Sequence, residues 1–310
     1  MSEISRAAVI GTGTMGPGMG AVLERAGLEV ALYDVSEEAV ERAKKGVEIA
    51  RGVLERLGGE ASDGGALRFE TDLAAALEGA DVVLEAIPEK LELKQQALAE
   101  WENHLADDAV IASNTSGIPI TKMAENLQHP ERVIGMHWSN PPQLIPMIEL
   151  IPGERTNEET VVAAKALIER IGYYPCLLKK EVPGFVENRV LYAIMRECLA
   201  LVDEGVIDAE ELDLNVKWGI GYKLAVIPPM QLLDVAGLDI YESVAGYLNS
   251  DLSTESGVSE TITGLTGEGK LGIKTGGGLF DYSEDELAEL PMKRAAALVA
   301  VRKTLDNQDV

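Results

Sequence analysis

Cysteine and histidine are the scarcest chemistry-bearing residues in this sequence, with two cysteines and three histidines among 310 residues. Cys176 and Cys198 form no metal-binding or redox spacing, so a reducing, cytoplasmic setting is expected. Positive charge is also short: 27 Lys and Arg stand against 52 Asp and Glu, a formal net charge of −25. Nucleic acids and anionic membranes are bound by clustered basic residues, so neither is an expected partner. No apolar run approaches the roughly 18 residues of a membrane span. The opening MSEISRAAVIG has no basic segment ahead of a long apolar stretch, so no secretory leader is expected. What the chain does have is core material, 46% hydrophobic residues over a length too great for one comfortable core, which implies two domains.

The first part alternates strand and helix signals. RAAVIG, EVALYD, DVVLEAIP and AVIAS are short and apolar, and the charged stretch from Glu37 to about Leu57 has helical character. Strands alternating with helices imply a parallel sheet covered on both faces. GGEASDGG, Gly58 to Gly65, reads as a surface loop. RVIGMHW and IPMIELI, joined by SNPPQL, suit two adjacent strands. Pro and Gly in KKEVPGF mark a boundary, beyond which the pattern turns helical, with a last helix over about Glu284 to Leu305. The expected fold class is therefore α/β: a Rossmann-type doubly wound sheet over residues 1–182, followed by an all-α C-terminal domain over 183–310.

Gly11, Gly13 and Gly16 form G-x-G-x-x-G directly after a strand and at the mouth of a helix. Such glycines permit a tight turn, close approach of backbone to a pyrophosphate, and close helix–strand packing, while the helix N-terminus presents N–H groups to phosphate. Thr14 and Met15 lie inside this loop. Asp34 ends the second strand, where an acid accepts from the ribose 2′-OH and repels a 2′-phosphate, favouring NAD over NADP. The bland alternative makes Asp34 a cap of the next helix.

His137 sits in one apolar run and Glu149 in the next. If the connection is centred near Pro142, the two side chains fall at the same level of neighbouring strands. A carboxylate there fixes the imidazole tautomer and supports its protonated form, leaving the other nitrogen for proton exchange with substrate. A buried histidine satisfied for structural reasons is the alternative. ASNTSG places Ser113 to Ser116 where a strand ends, the ligand side of a parallel sheet, and PGFVENR places Asn188 early in a helix. No metal-ligand cluster is read from the sequence.

The matches GTGTMG, YD, EAIPE, SNTSG, HWSNPP with its downstream glutamate, PGFVENR, GLD and GIKTGGGLF occur in one order over nearly the whole chain. In this the sequence resembles the 3-hydroxyacyl-CoA dehydrogenase family of fatty acid metabolism. The resemblance implies an NAD-dependent enzyme with His137 as base, Glu149 as its partner, and Ser116 and Asn188 hydrogen-bonded to the reacting oxygen. It also implies cofactor contacts from Glu89, Lys94, Ser116, Asn140 and Lys274, and a homodimer formed through the C-terminal helices. A non-catalytic NAD-binding protein is the competing expectation.

The resemblance is incomplete. Acyl-CoA users usually show two phenylalanines after the histidine, where this chain has Trp138 and Ser139. Lys44 and Lys45 are followed by an acidic, glycine-rich stretch, and GYKLAVIPP brings Lys223 into a segment expected to border the site. These departures resemble family branches acting on small carboxylated substrates without CoA, such as gulonate or a pyridine aldehyde carboxylate. Trp138 and Ser139 carry most of that expectation.

Overall fold

A computed structural model describes residues 4–58 and 61–307, so Gly59 and Glu60 of the expected loop lie outside the described residues. Eight strands are present: β1 (Arg6–Ile10), β2 (Glu29–Tyr33), β3 (Ala66–Glu70), β4 (Val82–Glu85), β5 (Val110–Ser113), β6 (Val133–Trp138), β7 (Met147–Pro152) and β8 (Tyr174–Leu177). They form one sheet in the order β3-β2-β1-β4-β5-β6-β7-β8. Neighbours run parallel except β6 and β7, which are antiparallel. The order of the first six strands is that of a dinucleotide-binding sheet, with its crevice at the carboxyl ends of β1 and β4, where strand order reverses.

The core lies on both faces because successive side chains of a strand point opposite ways. Val9, Leu32, Leu84, Met136 and Leu150 join one apolar layer, while Ala8, Ile10, Val83, Ile111 and Ile151 join the other. β3 and β8 were not expected, and both are edge strands. ALRFE is only partly apolar, and YPCL carries Pro175, which an edge strand tolerates because one side of its backbone has no strand partner.

The helices of the first part are α1 (Gly16–Arg25), α2 (Glu37–Leu57), α3 (Leu73–Leu77), α4 (Leu91–Glu102), α5 (Ile120–Met123) and α6 (Glu158–Arg170). Helix α2 starts where the Ser36 hydroxyl accepts from the Ala39 amide, with Glu37 and Glu38 in its positively polarised first turn. Then follow α7 (Glu187–Asp203), α8 (Ala209–Asn215), α9 (Tyr222–Leu224), α10 (Pro229–Ala236), α11 (Leu238–Leu248), α12 (Glu260–Gly267) and α13 (Glu284–Asp306). A capping box between Ser283 and Glu286 opens α13.

The chain divides into two compact units, residues 1–189 and 190–310, with the division inside α7. The first is the α/β sheet unit and the second is helical. Among the described residues of the second unit Val299 alone is buried, while Trp218, Tyr222, Met230, Leu238, Ile240 and Tyr247 are exposed. No helix among the described residues is long and apolar enough to cross a membrane.

Candidate active site

The glycine loop joins β1 to α1 at the strand-order reversal. Gly11 has φ +109°, and a Cβ there would lie 2.4 Å from the Ala86 carbonyl oxygen; one on Gly16 would lie 2.1 Å from that of Gly11. Gly13 differs: a Cβ there would meet nothing within 4 Å, so protein packing does not require this glycine. Bare backbone facing open space suits an approaching pyrophosphate. Met15 precedes α1 without a side-chain capping bond, and Thr14 is exposed beside it. Asp34 Oδ2 accepts from the Thr12 amide (2.9 Å) and the Thr12 hydroxyl (2.6 Å), so the acid holds the loop itself. Ser36, not Asp34, caps α2. The residues present fit a dinucleotide.

A charged network lies under the next two strand ends. Lys94, 1% exposed on its side chain, places Nζ 2.6 and 2.7 Å from the two oxygens of buried Glu85 and 3.1 Å from Glu89 Oε2. The Ser113 hydroxyl donates to Glu85. Glu89 Oε1 accepts from the Thr115 hydroxyl (2.6 Å) and the Ser116 amide (3.0 Å). Burial pushes the Glu89 carboxyl up, but the Thr115 bond, the Lys94 charge and bond, and the Ser116 amide outweigh it and hold the group below its ordinary value. Lys94 is therefore no solvated helix lysine. Its ammonium is directed onto Glu85 and Glu89, and Glu89 in turn holds the Ser116 amide.

His137 and Glu149 are register partners across β6 and β7, and Nδ1 lies 2.8 Å from Glu149 Oε2. Both are buried, at 7% and 1% exposure. Glu149 Oε1 accepts from the amides of Val186 (2.9 Å) and Glu187 (3.0 Å), at the start of α7. Burial raises the Glu149 carboxyl, yet the His137 bond and these two amides outweigh that and keep it lowered. Phe185, with φ 49°, packs its ring 5.7 Å from the imidazole; a bulky residue in that conformation costs about 1–3 kcal/mol and persists because its surroundings hold it.

Asn188 Nδ2 donates to the Ser116 carbonyl at 3.2 Å, bringing the two expected oxygen-binding residues together. Asn114 Oδ1 accepts from the Trp138 amide at 2.8 Å, tying the ends of β5 and β6. The connection carrying exposed Asn140 rests on α1: a Cβ on Gly18 would lie 2.6 Å from both Pro142 and Gln143, and Tyr173 donates to the Pro142 carbonyl at 2.7 Å. Lys274 belongs to the second unit, in a turn closed by the Gly272–Gly277 bridge, and Lys223 lies in α9 of that unit.

Two expectations change. Trp138, 2% exposed, points into the apolar layer with Tyr173, opposite His137, because strand neighbours alternate; its identity reflects core packing. Ser139, two positions after His137, donates to Glu187 Oε2. Among the described residues His137, Glu149 and Glu187 each place one possible ligand atom within 4.8 Å of the others, a grouping the sequence did not reveal. The 2.8 Å spacing of His137 and Glu149 is that of a hydrogen bond. Glu187 was missed in the sequence, where an acid in a helix's first turn looks like ordinary dipole compensation.

A dinucleotide loop and a histidine–carboxylate pair on one carboxyl-terminal sheet edge define an NAD-dependent dehydrogenase. Residues 6–182 match the NAD-binding domain of 3-hydroxyacyl-CoA dehydrogenase and residues 184–282 its C-terminal domain, and the chain belongs to that family. It is 49% identical over 308 residues to 5-formyl-3-hydroxy-2-methylpyridine 4-carboxylate 5-dehydrogenase of Mesorhizobium japonicum, covering 99% of this chain and 100% of the relative. A solved structure of an enzyme of that name, described as an NAD+-dependent dismutase, superposes with a TM-score of 0.96 at 49% identity, covering 99% of this chain and 100% of that one. The (S)-3-hydroxybutyryl-CoA dehydrogenase of Ralstonia eutropha superposes with a TM-score of 0.72 at 30% identity, over 91% of this chain and 100% of that one.

Proposed function

We propose that this enzyme oxidises a carboxylated pyridine aldehyde with NAD, the reaction for which the Mesorhizobium relative is named, rather than a 3-hydroxyacyl-CoA. The observation that carries the reading is the 49% identity spanning 99% of this chain and all of that relative. The surface after β2 supports it: Lys44 pairs with Glu41 and lies over the Phe69 ring, so its charge is engaged within the protein.

In this reading neutral His137 accepts the hydroxyl proton of the hydrated aldehyde through Nε2, because Nδ1 is turned to Glu149. The imidazolium then rests against a carboxylate, and Ser116 and Asn188 steady the reacting oxygen. Bound NAD supplies the hydride acceptor. Gly11, Gly13, Thr14, Met15, Gly16, Asp34, Glu89, Lys94, Ser116 and Asn140 are the residues we assign to holding it.

A spectrophotometric NADH assay comparing 5-formyl-3-hydroxy-2-methylpyridine 4-carboxylate, gulonate and acetoacetyl-CoA tests this. The pyridine aldehyde is expected to give the highest kcat/KM; preference for acetoacetyl-CoA would return the enzyme to the acyl-CoA branch.

We also propose a homodimer through the C-terminal helices. A helical unit whose apolar residues stay exposed gains little from folding alone, and a second copy would cover them. Sedimentation is expected to give a dimer; a monomer would refute this.

A further inference from the structure

We propose that Glu187, steadied by Ser139, is a second catalytic base beside the His137–Glu149 pair, and that it serves the water that hydrates the aldehyde. This rests on the aldehyde reading above.

The argument begins from proton balance. Oxidising an alcohol releases one proton, which one base can accept. An aldehyde, water and NAD+ become a carboxylate, NADH and two protons. The pair His137–Glu149 accounts for one of them.

Glu187 is half-buried, and one of its oxygens lies within 4.8 Å of a ring nitrogen of His137 and of an oxygen of Glu149. Its Oε2 accepts from the hydroxyl of buried Ser139, which follows β6 two positions after His137. Its Oε1 has no hydrogen-bond donor, and the side chain has no Lys or Arg partner, among the described residues. A second carboxylate beside Glu149 is repelled by it, a cost set against its place in the first turn of α7 and its bond from Ser139. Oriented on one oxygen and free on the other, it is placed to accept a proton.

The water oxygen bonds to the aldehyde carbon while a water proton passes to Glu187, and the carbonyl π pair moves onto its own oxygen. Ser116 and Asn188 hold that oxygen. The C–H pair then leaves as hydride to NAD+, which is reduced, and the carbon is oxidised to the acid. The proton of the remaining hydroxyl goes to His137 as the hydride leaves. Both protons now have an acceptor, one on each base.

Reduction of the same aldehyde by NADH consumes one proton and no water, so it does not call on Glu187. Glu187→Gln keeps the shape and removes the base. With the pyridine aldehyde as probe, oxidation with NAD+ and reduction with NADH are measured separately. The oxidation-to-reduction ratio is expected to fall about tenfold or more in Glu187→Gln, and less in Ser139→Ala. NADH fluorescence titration checks that each variant retains its cofactor site. An unchanged ratio, whether both directions fall together or neither falls, would overturn the role of Glu187. Wild-type protein that turns over this aldehyde in neither direction would instead overturn the functional reading, and this role with it.

Discussion

His137 and Glu149 stand opposite each other in the antiparallel pair β6–β7, Nδ1 against Oε2 at 2.8 Å, although twelve positions separate them in the chain. The sheet ladder sets that distance, so the imidazole's orientation is inherited from backbone pairing. Two amides at the start of α7 hold the far side of the carboxylate.

Replacing His137 by Ala is expected to lower kcat about 10²–10⁴-fold, the usual worth of a positioned proton-transfer group. NADH binding, followed by fluorescence, should change little, because the glycine loop lies on β1 and α1. Normal turnover would remove His137 from the chemistry.

Glu149→Gln is expected to slow turnover and to change how stability depends on acid. The folded protein holds Glu149 below its ordinary value of 4.5, so the unfolded chain takes up this proton first as pH falls. The stabilisation is complete above that ordinary value and is lost as pH falls through the lowered folded value. Urea unfolding at pH 7 and in acid should show the wild-type advantage over Glu149→Gln narrowing on acidification. An advantage that grows in acid would contradict the assigned direction.

Asp34→Ala should raise the NADP-to-NAD ratio of kcat/KM by about tenfold, corresponding to about 1.4 kcal/mol of removed repulsion and lost ribose contact. It should also cost about 1–3 kcal/mol of stability, since Thr12 loses a charged acceptor at both its amide and its hydroxyl. Thr12→Val isolates the hydroxyl's share. An unchanged cofactor ratio with reduced stability would leave Asp34 a loop anchor only.

Lys94→Met leaves buried Glu85 without its counter-charge and is expected to cost about 3–5 kcal/mol in urea unfolding. Adding Glu85→Gln should recover part of that loss, which a double-mutant cycle measures. Turnover should fall even where the fold survives, because Glu89 would hold the Ser116 amide less firmly. If Lys94→Met is neutral, the network is dispensable.

The glycine loop, the six inner strands and helix α2 were legible from residue order because each is a local signal: an apolar β-branched run, a capped amphipathic stretch, glycines at fixed spacing. The edge strands β3 and β8 were not, since a half-polar ALRFE and a proline-bearing YPCL become strands only when a neighbour supplies hydrogen bonds. The level pairing of His137 and Glu149 could be expected because a two-strand hairpin is nearly local. Glu187 could not, since it enters the site from a helix that begins 38 residues beyond Glu149 and meets Ser139 only in space.

Trp138 and Lys94 mark the same divide from the other side. Next to a reactive histidine, a tryptophan in place of phenylalanine reads as a hint of a substrate without CoA, but strand alternation turns it into the core beside Tyr173. A lysine in a charged helix reads as solvated, but Glu85 and Glu89 draw its ammonium inside. Residue order was enough for the dinucleotide loop, the family and the histidine, because these depend on short-range backbone conformation and on residue chemistry. Which side chains share the site was decided by the tertiary structure, because strand order, register and helix entry bring together groups whose spacing along the chain carries no record of their meeting.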